Sequence, residues 1–99
     1  MNTAERIAET LRASSLAPTH LQVFDDSHLH AGGSESHFRV LTVSERFTGI
    51  TRVMRHRQVH SILSEEIKQI HALSLQLYTP EEWRTRDERI EGATPCAKR

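Results

Sequence analysis

Cysteine is almost missing from this chain of 99 residues: the one copy is Cys96. A single thiol excludes an intramolecular disulfide and every zinc motif built on several cysteines, and it fits a reducing compartment. Glycine is scarce too, with four residues in all, and no glycine-rich phosphate-binding motif can be assembled from them. Net charge is absent. The 13 Lys plus Arg balance 13 Asp plus Glu, which leaves no general attraction to nucleic acid or to an anionic membrane, so any such contact has to come from a local patch. No apolar run approaches the roughly 20 residues needed to cross a bilayer, and the start, MNTAERIAET, has no signal-peptide core. The expectation is a soluble, cytoplasmic protein with room for one modest core.

Histidine is what the chain does have. Seven are present, and three of them, His28, His30 and His37, fall in the twelve residues SHLHAGGSESHF. Their meaning depends on where the chain places them. TAERIAETLRAS carries Ile7 and Leu11 at i and i+4 with Thr3 as N-cap, an amphipathic helix. APTHLQVFD, with Leu21 and Val23 on one side, reads as a first strand. HFRVLTVSERF sets Phe38, Val40 and Thr42 against Leu41 and Val43, a second strand buried on both faces. After a turn at Gly49, residues 51–69 place Val59, Ile62, Leu63 and Ile67 at helical spacing with no internal Gly or Pro: the main helix. HALSLQLYT alternates as a third strand. Thr79, Pro80 and two acids then start a final helix, whose Trp83 is expected against the sheet edge. His20 is expected at the surface and His60 at the margin of the main helix's apolar stripe. Residues 1–88 make the domain, and 89–99, without apolar periodicity, a disordered tail.

This order, αββα(α)βα, constrains the topology. Strands one and two form a hairpin. A helix of about 19 residues, rising about 1.5 Å each, runs back along a strand of seven at about 3.3 Å each, so strand three starts where strand two starts and lies parallel to it. His71, at the start of strand three, and His37, at the start of strand two, therefore meet at one edge of the sheet, beside the loop with His28 and His30.

The stretches FDDSHLHAGGSESHFRVLTVSERFTG, RHRQVHSILSEEI and IHALSLQLYTPEEW, in that order, resemble the BolA family over about residues 3–84. The resemblance implies an α+β fold of the class II KH-like type, αββααβ(α), with a three-stranded mixed sheet covered by helices. It also implies a non-enzymatic protein that pairs with a monothiol glutaredoxin and shares a [2Fe–2S] cluster, in iron–sulfur transfer or iron and redox regulation. The implied ligands on this chain are His71 and, from the loop after the first strand, His30. That loop is about two residues shorter than in many members, which leaves His28 as the substitute. Two histidines can replace two cysteines on such a cluster. The partner's cysteine and a bound glutathione would complete the set, so no cluster is expected in the isolated protein. Neutral imidazole ligands raise the reduction potential and make binding sensitive to protonation near the ordinary histidine value of about 6.5. His37 reads as a strand-start hydrogen-bonding residue.

A second constellation is basic: Arg39, Arg46, Arg52, Arg55, His56 and Arg57, opposed only by Glu45. If the main helix starts near Arg52, Arg55 and Arg57 project outward beside the loop RFTGITR, and such a corner can contact phosphates. The resemblance also implies an alternative function, a DNA-binding transcriptional regulator, for which this corner would be the contact surface. KH modules clamp the nucleic-acid backbone with a GxxG loop, which the lone Gly49 does not supply. A histidine-bound single metal ion is a third reading. Enzyme chemistry has little to stand on. Cys96 lies in the tail with no histidine held beside it, and Asp25, Asp26 and Ser27 read as a turn.

Overall fold

The computed structural model describes residues 2–27 and 37–86. Helix α1 spans Thr3–Arg12. Its cap is Asn2 rather than the expected Thr3: the Asn2 side chain accepts from Glu5 N at 2.8 Å and the Glu5 carboxylate accepts from Asn2 N at 3.0 Å. This reciprocal capping box satisfies two helix-terminal donors at once. Thr3, the first helical residue, is buried instead. Ile7 and Leu11 point into the core as their spacing predicts.

Strands β1 (His20–Asp25) and β2 (His37–Val43) pair antiparallel, and β3 (Ala72–Tyr78) pairs parallel with β2, giving the order β1-β2-β3. The register sets His37 against Ala72, so β2 and β3 start together as the helix-length argument requires. A 3-10 turn, Glu45–Phe47, follows β2 and buries Phe47. Gly49 at φ +78° then reverses the chain, a conformation that costs a glycine little. Thr51 caps the next helix by accepting from Met54 N.

The main helix is not continuous. It divides at Leu63 (φ −97°, ψ 20°) into α2, Arg52–Ile62, and α3, Ser64–Ile67. The break turns Val59 and Leu63 on one side, and Ile67 and Ile70 on the other, toward a single core with Ile7, Leu11, Phe38, Val40, Phe47 and Leu77. It also lets α3 meet α1, where Thr10 Oγ1 donates to Glu66 at 2.8 Å and Arg6 donates to Gln69 at 3.2 Å.

Alternation along the strands sends Leu21, Val23, Phe38, Val40, Leu73, Leu75 and Leu77 to the face under α1–α3. The opposite face carries a smaller cluster, Leu41, Val43, Tyr78 and Trp83. Trp83 belongs to α4 (Pro80–Thr85), capped by Thr79 with Pro80 in its first turn. It does not pack against the sheet edge as expected. Its ring stacks on Tyr78 at 5.9 Å and on His20 at 5.3 Å, and so lies across the face. His20 is therefore half-buried rather than a surface residue. Expectations for residues 89–99, Cys96 included, fall outside the described residues.

Candidate functional site at the starts of the second and third strands

The parallel register delivers two imidazoles to one end of the sheet. His37 opens β2 and is half-buried, while His71 immediately precedes β3 and is exposed. Their rings stack with centroids 6.1 Å apart and planes 14° from parallel. The hairpin holds this end in place. Ser27 N donates to the Asp25 carboxylate at 2.9 Å, His37 N donates to Ser27 Oγ at 3.1 Å, and Asp26 N donates to His37 O at 2.9 Å. Asp25, Asp26 and Ser27 thus make the turn expected of them, with Asp26 also receiving Arg39 Nε at 2.9 Å. His28 and His30, the loop ligands expected from the sequence, lie outside the described residues.

Among the described residues no group of three or more His, Cys, Asp or Glu side chains could hold a metal ion. His71 and His37 bring two imidazoles to this end of the sheet, fewer side chains than such a group needs. The meeting of His37 and His71 is the one expected from the matched starts of β2 and β3.

The basic corner is smaller than the sequence suggests. Arg46, Arg52, His56 and Arg57 are exposed. Arg55 is not: only 7% of it is accessible, and it does not project outward with Arg57. Its Nε donates to Ile50 O at 2.8 Å and Nη1 donates to Leu77 O at 3.1 Å. The guanidinium also grips Glu82 through two bonds, at 2.7 and 3.1 Å. The reason is helical phase. Arg55 lies four residues before the buried Val59 and shares its inward stripe, so its charge must be paired where it sits. Arg55's hydrogen bonds hold the Glu82 carboxyl at about 2, well below its ordinary 4.5, against burial, which pushes it up. The Thr79 N–H, bonded to the same carboxylate at 2.9 Å, adds to the lowering. Arg39 also leaves the corner, lying over the Phe24 ring at 4.4 Å and bonded to Asp26. His60, placed at the margin of the apolar stripe, is exposed.

A family model described as BolA-like protein matches residues 13–82. The chain belongs to the BolA family. It is 45% identical over 95 residues to the DNA-binding transcriptional regulator BolA of Escherichia coli K12, covering 93% of this chain and 90% of that protein. It is 40% identical over 95 residues to human BolA-like protein 1, covering 93% of this chain and 69% of that one. The solved structure of BolA1 from Arabidopsis thaliana superimposes with a TM-score of 0.78 at 42% identity, covering 83% of this chain and 96% of the other. BolA relatives thus carry names both as transcriptional regulators and as BolA-like proteins. The α+β fold with its three-stranded mixed sheet is that of BolA structures. No helix among the described residues is long and apolar enough to cross a membrane.

Proposed function

We propose that this chain is a non-enzymatic protein that shares a [2Fe–2S] cluster with a monothiol glutaredoxin, with His71 as its fixed ligand. The observation that supports this reading most is the position of His71: exposed, at the end of a strand whose register is set along its whole length, beside a second imidazole. A cluster needs four ligands. His71 would supply one and His30 of the loop after β1 a second, with His28 as its substitute, while the partner's cysteine and glutathione would supply two thiolates. The cluster itself would supply electron transfer or serve as cargo for delivery. The chain's own part is to present imidazole at a rigid sheet end, with the Asp25–Ser27 turn fixing where the loop departs.

The test is anaerobic co-purification with a monothiol glutaredoxin, followed by visible circular dichroism. A spectrum differing from that of the glutaredoxin homodimer supports the shared site. Stoichiometric iron and sulfide in the isolated chain would contradict it.

A second reading, DNA binding, is favoured by the name of the Escherichia coli relative and by the exposed Arg46, Arg52, His56 and Arg57 on one corner. Arg55 has no part in it, since its donors are engaged within the fold. Retention on DNA that falls steeply with salt is its signature.

A further inference from the structure

A groove runs along the outer side of α2, where Arg52, Val53, His56, Arg57 and His60 line a space of about 520 Å³. These positions form one helical stripe. Val53 stands in it 63% exposed, an apolar side chain with no core contact to explain it. A narrower space of about 220 Å³ shares Arg52 and His56 with the groove and is otherwise lined by Arg55 and by residues 75–78 of β3. The helix stripe is thus a wall, and the rim of β3 its floor.

That rim is a strand edge. β3 is the last strand of the sheet and pairs only with β2 among the described elements. Two bonds give the direction of its backbone groups. Tyr78 O accepts from Ser44 N on the β2 side, whereas Leu77 O accepts from Arg55 Nη1 on the other. Because backbone groups alternate sides along a strand, Leu73, Leu75 and Leu77 turn theirs toward the groove. Such an edge is a template for another strand, and strand addition is a recurring mode of peptide recognition. Arg55 occupies Leu77 O and so closes the edge at that end.

The dimensions of wall and floor agree. From Leu73 to Leu77 the strand offers about 13 Å at about 3.3 Å per residue. From Arg52 to His60 the helix offers about 12 Å at about 1.5 Å per residue. One extended segment of about five residues would run under the whole wall. Two guanidinium groups and two imidazoles surround Val53, and no described residue lining either space is acidic. We infer that this groove takes an extended acidic segment of a partner protein, added as a fourth strand on β3. Alternate carboxylates meet Arg52, His56 and Arg57, and an apolar side chain lies on Val53. Nucleic acid would use the basic side chains but has no need of the strand edge, and that edge is what favours a peptide. The inference requires neither His71 nor iron and stands apart from the cluster reading.

The test is a nuclear magnetic resonance titration of the full chain with a ten-residue peptide that alternates Glu with Thr around a central Val. The amides of Leu73, Leu75 and Leu77 shift and exchange with solvent at least tenfold more slowly at saturation. A Lys-for-Glu version of the peptide and a version with alternate N-methylated amides each bind at least tenfold more weakly. His56→Glu combined with Arg57→Glu weakens the Glu peptide by at least tenfold while far-UV circular dichroism is unchanged. The inference is overturned if the Glu peptide does not bind, or if the lysine or N-methylated peptide binds equally well. It is also overturned if single-stranded DNA shifts these amides while the Glu peptide does not, or if they shift with protein concentration alone, which assigns the edge to a second copy.

Discussion

At the far end of β3, Arg55 and Glu82 join α2, the turn at Ile50, the strand end and α4 through a fork of hydrogen bonds, and Trp83 stacks across the neighbouring face. At the near end, His71 stands exposed against His37 with its backbone at the mouth of the sheet. Both ends carry polar residues that a motif reading would mark as functional, but their surroundings differ. The Arg55 end spends its charge on the fold, whereas the His71 end presents its polar atoms to whatever arrives. The contrast teaches that a cationic side chain among exposed neighbours can still be structural, and its helical phase decides which.

Breaking the far end should have the largest effect. Arg55→Ala leaves Ile50 O and Leu77 O without a donor and Glu82 without its cation, and it should cost about 3 kcal/mol, the low end for a broken buried pair because Glu82 is 46% exposed. Chemical denaturation with a two-state fit measures this. An effect below about 0.5 kcal/mol would return Arg55 to the surface set.

The acid limb of stability sharpens the same point. Glu82 has a folded value of about 2 against an ordinary 4.5, so its contribution is fully present above pH 4.5 and is lost as pH falls toward 2. Glu82→Gln should flatten that part of the stability curve relative to the parent, as followed by denaturation midpoints from pH 6 downward.

The exposed corner gives a smaller, distinct effect. Arg52→Gln with Arg57→Gln should lower the salt slope of any DNA binding by up to about two, since each neutralised phosphate contributes about 0.9. An unchanged slope removes these residues from phosphate contact.

The smallest effect belongs to the near end. His71→Ala should leave stability within about 0.5 kcal/mol, because the ring is exposed and carries no core packing. A thermal melt alongside Arg55→Ala would show the asymmetry directly.

Much of the architecture was legible because it rests on periodicity. The alternation in HFRVLTVSERF gave a strand buried on both faces, and the ratio of helix rise to strand rise put the starts of β2 and β3 together, as the register shows. Less legible was whatever depends on one residue's angular phase or on a competing cap. Asn2 displaced Thr3 because its side chain reaches Glu5 N, and although the αββααβ order implied by the resemblance has two helices here, no helix-breaking residue marks Leu63 as the point of division. Arg55 is surrounded in sequence by exposed cationic residues but shares the inward stripe of Val59, and that angular phase, not its neighbours, sets its place. At the candidate site, composition and resemblance located His71 and the strand register brought His37 to it. What His28 and His30 contribute depends on a loop whose course no period or pairing rule specifies.

Under the proposed function, His71 is the fixed ligand through which this chain shares a cluster. Titration of the apo chain into cluster-loaded monothiol glutaredoxin, followed by visible circular dichroism, tests it most directly when wild type and His71→Ala are compared. Wild type should convert the spectrum to that of a mixed complex, and folded His71→Ala should not. A His71→Ala protein that forms the mixed complex with wild-type spectrum and affinity would contradict it.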